Sequence, residues 1–384
     1  MRAAIAGNSG QGDTAGPMRK PLLLLLLSSV PLWFTACDDD KPPCDSAADP
    51  GCADAGEPPA DGGTDTGPAI IADPEVWTWV DVNGTACGNG ARTGIGINPT
   101  PASQDVYIYM QGGGACWNEQ TCFTQPSASN LSTGYQSAQF QADATRNAYM
   151  FNRGAATNPF RNMSFIFVPY CTGDVHAGNT VQTYGARQVH HKGAANVEAW
   201  LPRLAATFPS ARRVFLGGSS AGAFGAQLNY ERVAAAFPGA ELHVLADSGQ
   251  MVTPAGSLQS TWFTNWGVTV PAACTNCTTD FARYPAYLAA TYPASRFGLL
   301  AWDRDTVLRT FFGYPADTYE TLTFQLLTSS YEGRANAKYF LKQGTQHTFL
   351  GGLGTLTSTT GVKLEDWVTH WVEGNAAWNN VLEP

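Results

Sequence analysis

The sequence has few charged residues and no cluster of basic ones. Only 14% of its 384 residues are Asp, Glu, Lys or Arg, against ~25% in an average soluble protein. The formal net charge is −9 at pH 7, and binding to a phosphate backbone needs a basic face. We therefore expect no nucleic-acid partner. With 44% hydrophobic and 11% aromatic residues the chain can bury a large core, which excludes a disordered protein or a coiled coil.

Long apolar runs are also missing, apart from one near the start. Residues 21–34 form that run, which is short for a membrane-spanning helix and follows the basic residues Arg19 and Lys20. A basic segment followed by a short apolar run is typical of an export signal. We expect Met18 to be the true start and residues 1–36 to be the signal segment.

The signal ends in a motif that resembles a bacterial lipobox. Small residues lead into Cys37, which would become the lipidated first residue of the mature chain. Phe34 stands where such motifs usually have Leu, and ordinary signal cleavage is the alternative. Residues 37–68 hold nine acidic residues against the single Lys41, and we expect them to form a disordered, Pro- and Gly-rich tether. Residues 69–384 would then be the catalytic domain.

Cysteine usage agrees with export to an oxidising compartment. Without Cys37 an even number of cysteines remains, eight of the nine, as expected for disulfides. The expected pairs are Cys87–Cys171, Cys116–Cys122, Cys274–Cys277 and Cys44–Cys52. A zinc site at Cys274 and Cys277 is the alternative, but no second pair of ligands stands at metal-binding spacing. We expect no metal and no cofactor.

Strands and helices alternate along the domain. Apolar β-rich runs predict strands at 106–110, 164–168, 213–216, 242–245, 297–302 and 339–341. Helical spacing of apolar residues predicts helices over 194–208, 221–236 and 362–372. This order indicates an α/β fold with a mostly parallel sheet and helices on both faces.

The pentapeptide Gly218-Ser219-Ser220-Ala221-Gly222 lies between a predicted strand and a predicted helix. A G-x-S-x-G sequence in that position is the pattern of a nucleophile elbow, where a crowded turn raises the serine hydroxyl above the sheet. Ser220 is therefore the candidate nucleophile. The alternative is a glycine-rich turn with a serine helix cap, and Ser219 could cap while Ser220 attacks.

A nucleophilic serine needs a His as its base and an acid that orients the His. In such folds the acid follows the serine along the chain, and the His follows the acid. Only His347 and His370 lie late enough in the chain. We favour His347, because it follows a strand in a loop, whereas His370 lies in the predicted terminal helix. For the acid, Asp305 is our first choice, Asp303 the second and Asp247 the third, since all three end or follow strands.

The oxyanion of the transition state needs backbone N–H donors. Ala221, directly after the nucleophile, would supply one, and the glycine-rich turn at residues 112–115 would supply the others. A phosphate cradle is the alternative for this turn, but no Lys follows it.

Several motifs together resemble the pectin acetylesterase and Notum family. They are Gln111-Gly-Gly-Gly-Ala-Cys-Trp117, Phe167-Val-Pro-Tyr-Cys-Thr-Gly-Asp174, Gly218-Ser-Ser-Ala-Gly222, Leu245-Ala-Asp-Ser-Gly249 and Gln346-His347. The resemblance covers roughly residues 75–372. It implies an α/β-hydrolase fold, cofactor-free serine carboxylesterase activity, and an oxyanion hole formed by Gly113, Gly114 and Ala221. Plant and animal members usually carry a bulky Trp just after the glycines, whereas this chain has Ala115 and then Cys116 and Trp117, so we expect a different acyl pocket.

Asp174 and His176 stand in a polar loop that follows a predicted strand. Two such groups do not make a metal site, and we favour a role in ordering the loop.

The leading functional hypothesis is an exported serine esterase that removes acyl groups, chiefly acetyl, from a polysaccharide such as pectin. A deacylase of longer-chain or aryl esters is the second hypothesis, and a non-catalytic carbohydrate-binding lipoprotein is the third. We expect a monomer whose partner is acetylated polysaccharide or another ester. We expect it to be anchored to the cell envelope and to contact the membrane only through the lipid on Cys37. Without that lipid it would be secreted.

Overall fold

The structure, a computed structural model, describes residues 67–383. Its strands are β1 Thr78–Asp81, β2 Gly94–Asn98, β3 Asp105–Met110, β4 Ser164–Val168, β5 Thr180–Tyr184, β6 Arg187–His191, β7 Arg213–Ser219, β8 Glu241–Asp247, β9 Phe297–Trp302, β10 Ala337–Lys342 and β11 Val381–Leu382. Its α-helices are α1 Ser137–Ala142, α2 Gly193–Thr207, α3 Ala221–Leu228, α4 Tyr230–Ala236, α5 Leu258–Trp266, α6 Arg283–Thr291, α7 Thr306–Phe312, α8 Ala316–Ser330 and α9 Leu364–Glu373.

Within these residues, nine strands form one sheet in the order β1-β2-β4-β3-β7-β8-β9-β10-β11. Neighbours from β4 to β11 pair in parallel, and β2 pairs antiparallel with both β1 and β4. β5 and β6 form a separate antiparallel hairpin. The carboxyl ends of the central strands β3, β7, β8 and β9 therefore meet at one edge of the sheet.

The sheet is covered on both faces. On β3, Val106, Ile108 and Met110 belong to one buried cluster, which includes residues from α2 to α8. Tyr107 and Tyr109 point the other way into a second cluster, which includes residues of α1 and α9. Alternate side chains of a strand face opposite sides of a sheet, so the predicted α/β fold with helices on both faces is confirmed.

The prediction of one helix over 221–236 is wrong, because α3 and α4 are separated at Asn229. The Asn229 backbone leaves the helical region, with φ −101° and ψ 7°. Its side-chain Nδ2 donates to the carbonyl oxygen of Gly225 at 2.9 Å and to that of His176 at 2.8 Å. A side-chain amide that bonds nearby backbone groups competes with the helix.

Three of the four predicted disulfides are present: Cys87–Cys171, Cys116–Cys122 and Cys274–Cys277. Cys116 and Cys122 also lie near His191 in a group with the spacing of metal ligands, but the two sulfurs are bonded to each other. Cys44, Cys52 and Cys37 lie outside the described residues, as do the signal segment and most of the tether. Among the helices at residues 67–383, none combines the length and apolar character needed to cross a membrane.

Candidate active site

Ser220 occupies a strained turn between β7 and α3. Its φ is +56° and its ψ −124°, a conformation that L-residues rarely adopt. The neighbouring glycines are required by space. A Cβ added to Gly218 would lie 2.2 Å from the carbonyl oxygen of Gly222, and one added to Gly222 would lie 1.9 Å from that of Met110. The packing explains why this pentapeptide forms an elbow.

The Ser220 hydroxyl is available to a ligand. Ser220 lines a pocket, and its side chain makes no hydrogen bond to any other group between residues 67 and 383. Ser219, which the sequence offered as a helix cap, instead donates its hydroxyl to Asp247 Oδ2 at 2.6 Å.

The imidazole of His347 is bonded to Asp305. His347 Nδ1 lies 2.8 Å from Asp305 Oδ2, and Asp305 is fully buried. Asp303 has a different partner: its Oδ1 accepts the backbone N–H of Gly344 at 2.8 Å. His370 is in the last turn of α9. Of the three candidate acids, Asp305 alone is hydrogen-bonded to His347 in the described part of the chain.

Asp305 also caps α7. Its Oδ1 accepts the N–H groups of Val307 and Leu308 at 2.9 and 3.0 Å. Helix capping therefore fixes the carboxylate that orients the imidazole. One carboxylate thus binds both the helix N-terminus and the imidazole.

Asp247, the third choice for the acid, binds the backbone of the His347 segment instead. It accepts the N–H groups of Phe349 at 2.7 Å and Leu350 at 3.0 Å, in addition to the Ser219 hydroxyl. Burial raises the pKa of Asp247 to about 6, although these hydrogen bonds act to lower it. The sequence marked Asp247 by its place at the end of a strand and in the motif Leu245-Ala-Asp-Ser-Gly249, but no pattern indicated these partners.

The glycine-rich turn lies against Ser220, the candidate nucleophile. A Cβ added to Gly112 would lie 3.1 Å from the Ser220 Cβ. Gly114 has a φ of +74°, and a Cβ there would lie 1.9 Å from the Ser127 carbonyl oxygen, so this position requires glycine. In residues 67–383 the N–H groups of Gly113 and Gly114 form no backbone hydrogen bond.

The carbonyl groups of the glycine-rich turn are held in place. The Gly113 oxygen accepts the N–H of Ser129 at 2.8 Å, and the Gly114 oxygen accepts the Tyr170 hydroxyl at 2.8 Å. Ala221 is the first residue of α3, where the N–H has no partner within the helix. The three predicted oxyanion donors thus lie on two turns in mutual contact.

The loop after β4 is ordered by Asp174, as predicted. Asp174 accepts the Thr172 hydroxyl at 2.5 Å and the N–H groups of His176, Gly178 and Gly193 at 2.7 to 3.2 Å. The Nε2 of His176 lies 2.8 Å from the Gln111 carbonyl oxygen, just before the glycine-rich turn. Burial lowers the pKa of His176, so its neutral form orders this turn.

The pocket beside Ser220 is almost entirely apolar. Its cavity volume is about 50 Å³, within about 560 Å³ of non-atom space that includes open solvent at its mouth. Its lining comes from α3, α5 and α7 with adjoining loops, and includes Phe224, Trp262, Phe263, Trp266, Phe281, Phe311 and Phe312. Ala115 also lines it, at the position where a smaller residue was expected to alter the acyl pocket. Sequence reasoning missed the pocket, because its aromatic residues come from distant segments.

Serine hydrolases of the α/β-hydrolase class carry their nucleophile on this kind of strand-to-helix turn, and the chain has that fold. A sequence profile described as Pectinacetylesterase matches residues 75–266, half of the chain. The chain belongs to the pectinacetylesterase family.

Relatives of established name share about a quarter of the aligned residues. Palmitoleoyl-protein carboxylesterase notum2 of Xenopus laevis is 26% identical over 178 residues, which are 46% of this chain and 34% of that protein. Palmitoleoyl-protein carboxylesterase NOTUM of Homo sapiens is 24% identical over 168 residues, 42% and 34% of the two chains. Pectin acetylesterase 11 of Arabidopsis thaliana is 24% identical over 313 residues, 76% of each. The match thus spans about a third of the Notum proteins.

Proposed function

We propose that the protein is a serine carboxylesterase with the triad Ser220, Asp305 and His347. The observation that carries the proposal is the 2.8 Å hydrogen bond between His347 and Asp305, combined with the strained Ser220 on its elbow. Such an imidazole is held in one tautomer, with Nδ1 as the donor and Nε2 free to accept a proton. Membership of a family with named carboxylesterases supports the reaction class.

The reaction proceeds by acyl transfer. Ser220 Oγ attacks the ester carbonyl carbon while His347 Nε2 takes the hydroxyl proton and then gives it to the leaving alcohol. Asp305 accepts the Nδ1 hydrogen of His347 and stabilises the imidazolium. The N–H groups of Gly113, Gly114 and Ala221 donate to the developing oxyanion. Water, deprotonated by His347, then attacks the acyl-serine ester; the acyl–Oγ bond breaks, His347 returns the proton to Ser220 Oγ, and the carboxylic acid is released.

The leading substrate is an acetylated polysaccharide such as pectin. The 24% identity with Pectin acetylesterase 11 over 76% of both chains supports this substrate class. A deacylase of longer-chain or aryl esters is the second candidate, and the apolar pocket beside Ser220 favours it. The lining of this pocket is almost entirely apolar, and each methylene of a longer acyl chain that is buried against it contributes ~0.8 kcal/mol.

The substrate hypotheses are tested together by initial rates on acetylated pectin and on p-nitrophenyl esters from acetate to dodecanoate. Acetate release from pectin, with kcat/KM highest for the acetate ester, supports the polysaccharide esterase. A kcat/KM that rises with chain length and no release from pectin would support the second candidate. Ser220→Ala is the control for both substrates, and hydrolysis equal to wild type by that variant would exclude a serine mechanism. Binding of pectin without any hydrolysis would favour the carbohydrate-binding lipoprotein.

The enzyme would work outside the cytoplasm as a monomer and without a cofactor. The predicted signal and Cys37 lipid support anchoring to the cell envelope, with the acidic tether between the lipid and the domain. The oxidised pairs Cys87–Cys171, Cys116–Cys122 and Cys274–Cys277 support an oxidising compartment.

A further inference from the structure

Asp247 connects the two segments that the proposed triad has to keep in register, and the proposed reaction does not use it. Its Oδ2 accepts the Ser219 hydroxyl at 2.6 Å and the Leu350 N–H at 3.0 Å, while Oδ1 accepts the Phe349 N–H at 2.7 Å. Ser219 adjoins the nucleophile, and Phe349 follows His347 by two residues. The side chain is fully buried, so a lost partner leaves an unsatisfied group.

The residue after Asp247 makes a parallel contact. Ser248 Oγ accepts the N–H of Thr348 at 2.9 Å. The end of β8 thus binds three consecutive N–H groups, those of residues 348 to 350, directly after His347. The His347 side chain is held by Asp305, whereas its backbone segment is held by the end of β8.

We propose that Asp247 is a positioning residue, which holds the His347 segment against the nucleophile turn only while its carboxylate is ionised. The inference rests on the proposed esterase function. All three partners of Asp247 reach it as donors, and an ionised carboxylate accepts from every one of them. A protonated Asp247 carries a hydrogen on one oxygen, so one of the three donors loses its acceptor.

The surroundings of Asp247 set the pH at which this happens. Tyr107 and Tyr109 face it from β3, and their pKa values are raised, chiefly by burial, so both phenols stay neutral. His347 faces it from the loop, and its positive charge favours the ionised carboxylate. Burial outweighs this attraction and raises the pKa of Asp247 to about 6. The carboxylate therefore becomes protonated in mild acid.

The first test is the pH dependence of ester hydrolysis by wild type and Asp247→Asn, which mimics the protonated side chain. Wild-type log kcat/KM should fall in acid with a maximum slope above one, because protonation of the general base stops the reaction and protonation of Asp247 lowers its rate by a further ~100-fold. The variant should show a slope of one and a kcat lower by ~100-fold on p-nitrophenyl acetate. Its KM should stay within about twofold, because Asp247 touches no substrate.

The matched control is Asp105→Asn at the opposite ends of the same strands. Asp105 forms an ion pair with Arg213 where β3 and β7 begin, far from the carboxyl ends that carry the site. This variant should keep the wild-type slope and kcat. If Asp247→Asn fails to fold, Ser219→Ala is the substitute, because it removes one of the three donors and should lower kcat at an unchanged KM. The slope of the wild-type pH profile is measured without any variant.

The second test does not need turnover. Amide hydrogen exchange at Phe349 and Leu350, corrected for intrinsic rates, should be slower in wild type at pH 8 than at pH 5. Asp247→Asn should exchange at the fast rate at both values. A wild type without any esterase activity would refute the proposed function, and the exchange data would still decide this inference. A wild-type slope of one, an unchanged kcat in Asp247→Asn, or exchange independent of pH would overturn it.

Discussion

Asp305 binds His347 with one carboxylate oxygen and caps α7 with the other. Oδ2 lies 2.8 Å from His347 Nδ1, and Oδ1 accepts two N–H groups of the helix. The same helix carries Leu308, Phe311 and Phe312 in the apolar pocket beside Ser220. The orientation of the imidazole and the shape of the pocket therefore depend on one short helix.

The double role of Asp305 makes Asp305→Asn an informative variant. An Asn can still cap α7, because Asn and Asp are similarly good N-caps, so the melting temperature should change by no more than a few degrees. The amide facing Nδ1 cannot accept its proton and favours the wrong tautomer. We expect kcat for p-nitrophenyl acetate to fall by ~10³–10⁴-fold.

Asp303→Asn is the matched control for that variant. Asp303 accepts one N–H, that of Gly344, and an Asn oxygen can replace it. Its kcat should stay within about threefold of wild type. A large loss of kcat in Asp303→Asn, together with an unchanged kcat in Asp305→Asn, would show that Asp303 is the acid of the triad.

The glycine-rich turn should not tolerate a single methyl group at Gly114. The positive φ and the 1.9 Å approach to the Ser127 carbonyl oxygen mean that the backbone must move in Gly114→Ala. Displaced N–H donors would cost ~10²-fold in kcat. Gly239→Ala is the control, because a Cβ there meets nothing within 4 Å. Equal kcat values for the two variants would contradict the oxyanion assignment.

His243 should make the fold less stable in acid. It is fully buried on β8, its Nδ1 accepts the Arg296 N–H at 3.1 Å, and burial with the nearby Arg296 and Arg213 lowers its pKa from 6.5 to about 3. Between pH 6.5 and about 3, the His243 imidazole binds a proton in the unfolded chain but not in the folded chain. The free energy of unfolding therefore decreases as the pH is lowered from 6.5 to about 3. The complete effect is about 5 kcal/mol.

The measurement is the free energy of unfolding from pH 7 to 4 for wild type and His243→Asn, whose Oδ1 can still accept from Arg296. Asp247 acts in the opposite sense, because its raised pKa adds stability as the pH falls through about 6. This contribution is common to both proteins. The variant should therefore lose less stability in acid, by ~1.4 kcal/mol per pH unit. The same pH dependence of the free energy of unfolding in the two proteins would show that the lowered pKa of His243 does not destabilise the fold in acid.

The predicted lipid anchor is tested by Cys37→Ser. If Cys37 carries the lipid, the variant should move from the membrane to the soluble fraction with an unchanged kcat on a small ester, because the tether separates lipid and domain. Persistent membrane association, or loss of kcat, would contradict the anchor and tether.

Much of the fold followed from the sequence because strands and the elbow have local signals. The runs at 164–168 and 297–302 match β4 and β9 residue for residue, and the glycines around Ser220 are demanded by the turn they form. The break at Asn229 was not predictable, since it depends on a hydrogen bond to His176, 53 residues away.

The acid and the pocket show where local patterns stop being informative. Asp303 and Asp305 follow the same strand two residues apart, and only the path of the chain after Trp302 decides which one meets His347. Likewise, no predicted helix covered Trp262 or Phe312, and no local pattern indicates that both residues face one cavity beside Ser220.

Labelling with a fluorophosphonate probe tests whether Ser220 is an activated nucleophile. The probe reacts with a serine only when a base and an oxyanion hole activate it. We expect one adduct per chain, mapped by peptide mass spectrometry to Ser220, absent in Ser220→Ala and strongly slowed in Asp305→Asn. An unlabelled wild-type protein, or an adduct on another residue, would show that Ser220 is not the activated nucleophile.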